Sequence, residues 1–409
     1  MANDFVRDTV SLDETEAHSS AGVEGEVREG IALALSGGGY RAMLFHAGAL
    51  ARLNELGLLS KLRRVSSVSG GAFAGALLGA QWGTWGTPVD GVYPDFVERF
   101  VPAIRAFGER NIEVFDAIVG ALPFVTGTGM LARSIDQGLL HGKTLADLPA
   151  PGEGPEFVIC ATNLGTGACW RFSRAYAGDY VVGRIADPTW PLALAVAASA
   201  AFPPAFAPME LDVGGATFGD WPKWTAVDRA SAAPFREKIS LSDGGVYDNH
   251  GLEPIVKRFS TLLVSDGGMP FSRVDDVATW KLPMRVNAVT DNQSRALRRR
   301  DLIERFRRGR DVAPNGPIAQ ADLRKGMRHG AYWGIDSRPG KFVIPGKIDA
   351  MDFDETRRAQ MAAVGTWMHH LGTDVSRDLV RWGYVIADLS LRRWYVPTAA
   401  KPAGYPAGM

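Results

Sequence analysis

The chain has 409 residues, 46% hydrophobic and 22% charged, which is the make-up of a globular protein whose core needs no staples. Lys+Arg and Asp+Glu both number 45, so the formal net charge is zero and no global field favours nucleic acid. Cys160 and Cys169 are too few for a disulfide framework or a zinc site and read as buried thiols in a reducing compartment.

Residues 1–30 are polar and acidic, lack the basic start and apolar core of a signal peptide, and read as a polar leader. A cytoplasmic protein is expected. Next, Ile31-Ala32-Leu33-Ala34-Leu35 reads as a strand and 42–56 as a helix, joined through Gly37-Gly38-Gly39-Tyr40-Arg41. Glycines that open a helix leave the N–H groups of Gly37, Gly38 and Gly39 without intrahelical partners. Those donors and the helix dipole attract negative charge, and Arg41 adds a cation on the first turn. An oxyanion hole fits this turn. A plain strand–helix turn and a nucleotide-binding loop are alternatives, although neither GxxxxGK[ST] nor GxGxxG is matched.

Residues 63–68 read as a second strand and 72–80 as a second helix. Ser69 lies between them in Ser67-Val68-Ser69-Gly70-Gly71. A nucleophile elbow needs small residues two before and two after its serine, because the sharp turn crowds them. Gly71 meets this requirement, while Ser67 stands where glycine is usual. The competing reading makes Ser69 a helix N-cap.

Residues 81–148 exceed a simple crossover and carry Trp82, Trp85, Phe96, Phe100, Phe107, Phe115 and Phe124. They read as helices, one over 92–107, and loops that roof or flank the site. Strands are predicted at 157–162 and 169–172, then a helix over 191–200. The apolar run from Trp190 to Pro208 is short, and Pro203-Pro204 breaks it, so it reads as a buried helix and turn. A strand at 238–241 runs into Ser242-Asp243-Gly244-Gly245-Val246. Asp243 thus stands at a strand end, where residues of parallel sheets meet their ligands. The alternative is an Asx-turn, and Asp248 and Asp266 are competing carboxylates. A helix at 253–258 and strands at 261–265 and 284–289 follow. Short apolar strands alternating with helices predict an α/β layered fold on a largely parallel sheet. None of the seven histidines (His18, His46, His141, His250, His329, His369 and His370) has a distinctive setting, although His250 invites a triad.

After 271 the chain becomes arginine-rich. Residues 295–310 hold eight arginines, with Leu302, Ile303 and Phe306 on one helical face. Such a helix can rest on anionic lipid through Arg298, Arg299, Arg305 and Arg308. The competing reading is a solvated helix whose apolar stripe packs on the domain. Further helices are expected over 354–371 and 375–391, before a frayed Pro/Ala/Gly-rich end at 397–409. The predicted organisation is a leader at 1–30, a main domain at 31–270 and a mostly helical extension at 271–409 packed on it.

Taken together, Gly37-Gly38-Gly39-Tyr40-Arg41, Ser67-Val68-Ser69-Gly70-Gly71 and Asp243-Gly244-Gly245 resemble the GGGxR, GxSxG and DG[GA] motifs of the patatin-like phospholipases. That group includes the related catalytic domain of cytosolic phospholipase A2. Residues 197–204, Ala-Ala-Ser-Ala-Ala-Phe-Pro-Pro, are similar to the family's alanine–serine–proline block. The resemblance covers roughly 31–268, and Ser67 is its departure. It implies a three-layer α/β/α patatin-like fold and a Ser-Asp dyad without histidine, Ser69 as nucleophile and Asp243 as base. It also implies an oxyanion hole of Gly37, Gly38, Gly39 and Gly70, support from Arg41, and no metal or organic cofactor. The implied substrate is a lipid or other fatty acyl ester; peripheral contact with an anionic membrane is expected and nucleic acid is not. A regulated membrane-damaging phospholipase effector and a catalytically silent lipid-binding protein remain open, the intact serine and aspartate arguing against the second. An aspartate with a reference pKa near ~3.9 is a weak base toward a serine hydroxyl. Desolvation in an apolar site, with Phe202 and Phe206 among the candidate linings, would raise it.

Overall fold

The computed structural model describes residues 27–112, 127–203, 206–221, 230–275, 277–342, 351, 353–366 and 368–409. Most of the predicted leader, His18, Phe115, Phe124 and Pro204 lie outside the described residues.

The chain enters through β1 (Arg28–Leu35), helix α1 (Gly39–Glu55), β2 (Leu62–Val68) and α2 (Gly70–Ala80). Helices α3 (Phe96–Gly108) and α4 (Gly127–Ile135) lead to β3 (Glu156–Asn163). Next come β4 (Ala168–Phe172), β5 (Tyr176–Asp179), β6 (Gly183–Ala186), α5 (Leu192–Ser199), β7 (Met209–Asp212) and β8 (Phe218–Gly219). Strand β9 (Lys238–Asp243), the one-turn α6 (Gly245–Asp248) and β10 (Phe259–Asp266) follow. The remainder is α7 (Leu282–Val312), α8 (Gln320–Arg324), β11 (His329–Gly334), α9 (Glu355–Ala363) and α10 (Thr373–Trp394).

The sheet runs β11-β10-β1-β2-β3-β4-β5-β6-β8, with β9 joining β3 to β7. Its centre, β11 to β3, is parallel, whereas every pairing beyond β3 is antiparallel. Strand β1 shows why both faces are covered. Successive side chains leave a strand on opposite faces. Ile31, Leu33 and Leu35 enter the large core shared with α1, α2 and α10, and Ala32 and Ala34 enter a second core with Leu302 and Phe306 of α7. A strand apolar on both faces therefore sits between two helical layers, the three-layer α/β/α arrangement.

Several expectations change. Residues 284–289 are helical, not a strand: they lie in α7, which starts with Pro283 in its first turn and meets no breaker before Val312. Residues 253–258 form turns, because the Asp248 carboxylate takes the N–H groups of Leu252 and Glu253 and leaves only turn bonds to β10. The helix expected over 354–371 stops at Ala363, where the Val364 carbonyl and the Thr366 hydroxyl accept from Arg41 instead. The chain end is not frayed: Arg381 stacks 4.6 Å over Tyr405, and Arg52 donates to the Ala400 carbonyl at 2.8 Å. Ile303 departs from the buried Leu302 and Phe306 and faces solvent. Trp85, Phe96, Phe100 and Phe107 belong to the core, with Phe107 edge-on to Tyr40 at 5.7 Å, so they brace α1 from behind.

Helices α1 and α10 cross closely because glycines face backbone at the crossing. A Cβ on Gly48 would overlap the Val380 carbonyl, and one on Gly383 the Phe45 carbonyl. Gly383→Val should therefore cost about 3 kcal/mol by overpacking, read as a lower urea midpoint. An unchanged midpoint would contradict this crossing.

Candidate active site

Strands β1 and β2 are parallel neighbours, with Leu35 paired to Ser67, and each turns at once into a helix. Their two helix N-termini therefore converge at the carboxyl edge of the sheet. Ser69 occupies the second corner at φ 50° and ψ −119°, a conformation that costs a non-glycine residue about 1–3 kcal/mol. The elbow is crowded as its motif requires: a Cβ on Gly71 would overlap the Leu35 carbonyl, and one on Gly75 would lie 2.7 Å from the Ser67 hydroxyl. The small side chain of Ser67 is thus accommodated by a glycine in the second turn of α2.

The first corner places Gly38 at φ 143° and Gly39 at φ 61°, both left-handed. A Cβ on Gly37 would stand 3.1 Å from the Ser69 Cβ, and one on Gly70 would meet the Gly39 backbone. The triple glycine therefore lies against the serine. The N–H of Gly37 is already used, donating to the Asn249 carbonyl at 3.0 Å. Among the described residues the N–H groups of Gly38, Gly39 and Gly70 have no such partner. Gly37 differs in this from Gly38, Gly39 and Gly70, and its missing Cβ leaves room for Ser69.

Arg41 is fully buried behind this turn. Its Nε donates to the Gly267 carbonyl at 2.9 Å, and its Nη1 to the Val364 carbonyl at 2.6 Å and to Thr366 Oγ1 at 3.0 Å. Burial and the charge of Arg295 lower its pKa to about 10, so it stays cationic at neutral pH.

Asp243 ends β9, whose antiparallel pairing to β3 sets it opposite Ala161. Its backbone is fixed by the Thr162 hydroxyl and the Ala201 carbonyl, and one carboxylate oxygen accepts from the Gly245 N–H at 2.7 Å. The Ser69 side chain is near enough to lower the pKa of this carboxyl, although no direct hydrogen bond joins the two side chains in this structure. Burial pushes the Asp243 pKa up to about 7, against the lowering pull of Gly245 and Ser69, and the negative charge of Asp291 on α7 adds to the rise.

The other candidates are engaged elsewhere. Asp248 caps the following turn through the N–H groups of His250, Leu252 and Glu253. His250 is buried with Nε2 3.1 Å from Asp266, and no hydrogen bond links it to Ser69 or Asp243. His46 bridges the Ser265 hydroxyl and the Ser36 carbonyl, and burial lowers its pKa to about 4, so it is neutral. Asp266 repeats the local sequence of Asp243, since both read Ser-Asp-Gly-Gly. Its surroundings differ. It accepts from Ser36, Gly268 and Tyr332 and pairs with His250 and Arg295. Burial alone would raise its pKa, but Arg295 and His250 outweigh it and hold it well below the usual carboxylate range.

Three positioning residues escaped the sequence reading. Ser199 accepts the Ser69 N–H at 2.8 Å and donates to the Cys160 carbonyl at 2.6 Å, tying α5 to the corner. A single serine in an otherwise apolar helix was the available signal. Asn249 holds Gly37, and Ser36 accepts the Gly267 N–H at 2.8 Å. Among the described residues no helix is long and apolar enough to cross a membrane, and no group of three His, Cys, Asp or Glu is set to hold a metal ion.

Residues 33–256 match the family described as patatin-like phospholipase. No curated protein matches the chain. Among solved structures, human GIVD cytosolic phospholipase A2 is 12% identical with a TM-score of 0.47, the match covering 91% of this chain and 63% of that one. VipD from Legionella pneumophila is 13% identical with a TM-score of 0.35, over 89% of this chain and 67% of that one. The chain thus spans under two thirds of the human protein's length. The glycine-framed serine corner and the distant aspartate fall within the matched span, more than half of the chain, and the chain belongs to the patatin-like phospholipase family.

Proposed function

We propose that the protein is a serine acyl hydrolase that cleaves fatty acyl esters of lipids with Ser69 and Asp243. The observation that carries this reading is the placing of a strained, buried serine and a buried carboxyl, whose pKa burial pushes up to about 7, in one site. A base poised near the working pH combines adequate ionisation with adequate basicity.

In the acylation step Asp243 takes the Ser69 proton as Oγ bonds to the ester carbonyl carbon. The resulting oxyanion lies among the N–H groups of Gly38, Gly39 and Gly70, aided by the dipoles of α1 and α2. Collapse breaks the ester C–O bond, and the departing alcohol takes the proton held by Asp243. Water then attacks the acyl-enzyme, giving its proton to Asp243, and Ser69 regains a proton as the fatty acid leaves. Arg41 supports the glycine turn rather than the reacting atoms. The division into an acyl hydrolase domain at 31–270 and an extension at 271–409 is part of the same reading. A catalytically silent lipid-binding role is disfavoured, because nothing in ligand binding calls for a buried carboxyl with a raised pKa beside a strained serine.

Contact with a lipid surface is assigned to the amino-terminal half of α7, not to its arginine-rich half. Arg298 donates to the Tyr247 carbonyl, Arg305 pairs with Asp301, Arg299 pairs with Asp336, and Arg308 is half-buried. By contrast Leu282, Met284, Val286 and Val289 are 42% to 58% exposed. The same helix lies within electrostatic range of the site, its Asp291 adding to the rise in the Asp243 pKa. Exposed aliphatic residues beside Lys281 and Arg285 suit an anionic bilayer.

Ser69→Ala should fold normally and lose activity by about 10⁴-fold; retention of most activity would move the nucleophile elsewhere. The rate should follow ionisation of Asp243: kcat/KM of wild type should rise about tenfold per pH unit below about 7 and level off above it. Asp243→Asn should lose several orders of magnitude while His250→Gln keeps most activity; equal loss in a folded His250→Gln would indicate a triad. Met284→Asp with Val286→Asp should cut hydrolysis of anionic vesicles by about tenfold and spare soluble esters. Equal vesicle turnover would remove this helix from the lipid contact.

A further inference from the structure

A cavity of about 1270 Å³ opens between the segment after β10, the middle of α7, the end of β11 and α9. Its lining has two parts. Met269, Phe271, Ile303, Phe342, Ala359 and Ala362 provide an apolar wall. Among the described residues of the lining, Arg299, Arg300, Arg338, Lys341 and Arg358 stand against two carboxylates, Glu304 and Asp336. Glu355, next to the lining, pairs with both Arg338 and Arg358 and offsets part of the excess. In a chain of zero formal net charge, this concentration of cations is a local field that attracts anions.

The cavity is not the place where the ester is cut. Strands β1 and β10 separate β2, which carries Ser69, from β11, so at about 4.8 Å per strand the cavity lies about 10–14 Å from the serine along the sheet edge. In a glycerophospholipid only a few bonds separate the ester carbonyl from the phosphate. The anion held here therefore belongs to a second molecule, not to the lipid being hydrolysed.

The two walls meet at Arg41. One wall, Met269 to Ser272, continues from Gly267, whose carbonyl accepts from Arg41 Nε. The other, Ala362 and Ala363, continues into Val364 and Thr366, which accept from Arg41 Nη1. Arg41 in turn stands in the first turn of α1, and its Nη2 lies 2.7 Å from where a Cβ on Gly38 would be. An anion that quiets the repulsion among the lining cations steadies both anchors of Arg41 and, through it, the turn of Gly38 and Gly39.

We infer that this cavity binds an amphipathic phosphate, its anionic head among Arg300, Arg338 and Lys341 and its apolar body against Phe271, Ile303 and Phe342, and that its occupancy raises kcat at Ser69. The kinetic part rests on the acyl-hydrolase reading; the binding part does not.

The test separates them. Ser69→Ala protein is titrated calorimetrically with dihexanoyl phosphatidate and, separately, with octyl phosphate. Binding of both identifies a single-chain phosphate as sufficient, and binding of phosphatidate alone identifies a lipid as the source. Binding of neither overturns the inference. Arg338→Glu with Lys341→Glu, in the same background and with a wild-type-like melting curve, should weaken binding by about tenfold or more. Unchanged affinity in that variant overturns the site. With catalytically intact Ser69, either phosphate that binds should raise kcat on a soluble p-nitrophenyl ester with little change in KM. An equal rise in the Arg338→Glu, Lys341→Glu variant overturns the coupling.

Discussion

The site depends on the contact between two glycine backbones. Gly70, the first residue of α2, lies so close to Gly39 that a methyl group at Gly70 would overlap the Gly39 carbonyl. That approach is possible only because β1 and β2 are adjacent parallel strands that turn into helices at the same level. It brings two sets of partnerless helix N–H groups to one point, with both dipoles aimed at it. The strain of Ser69 is sustained because the corner is fixed on every side: Ser199 holds its N–H, Gly71 packs under Leu35, and Gly37 admits its Cβ.

The buried polar groups behind this contact explain how one local sequence serves two ends. Both Ser-Asp-Gly-Gly turns bury an aspartate at a strand end. A buried carboxyl is either compensated by donors and cations or driven toward its neutral form. Asp266 is compensated by Ser36, Gly268, Tyr332, His250 and Arg295, and its charge fixes the segment that leads into the triple glycine. Asp243 has the Gly245 N–H and the Ser69 side chain but no cation, and its proton is held to about pH 7. Burial is common to both; Arg295, His250 and the additional donors around Asp266 set the difference.

The parallel centre of the fold was legible because β1, β3 and β10 are largely apolar runs, and because β1 and β2 each turn directly into a glycine-opened helix. The antiparallel flank was legible only in part, since β4 and β9 were expected and β5 to β8 were not. β5 and β6 have four residues each, with glycine inside, and carry too short a pattern to register. The alternation in 284–289 imitated a strand, but Pro283 and an unbroken run to Val312 made it helical. The glycines, Ser69 and Asp243 could be named from their motifs. Ser199, Asn249 and Ser36 could not, since each acts through a backbone partner far away in sequence or across a turn. Asp243 and Asp266 have identical nearest chain neighbours, and the sequence did not show that His250 and Arg295 pair with the second.

The most direct measurement is the site of covalent capture. Wild type and the Asp243→Asn and His250→Gln variants are treated for the same time with an alkyl fluorophosphonate and mapped by peptide mass spectrometry. One adduct on Ser69 should form in wild type and His250→Gln, and very little in folded Asp243→Asn. An adduct on another residue, or equal labelling of Ser69 in Asp243→Asn, would contradict a serine activated by Asp243.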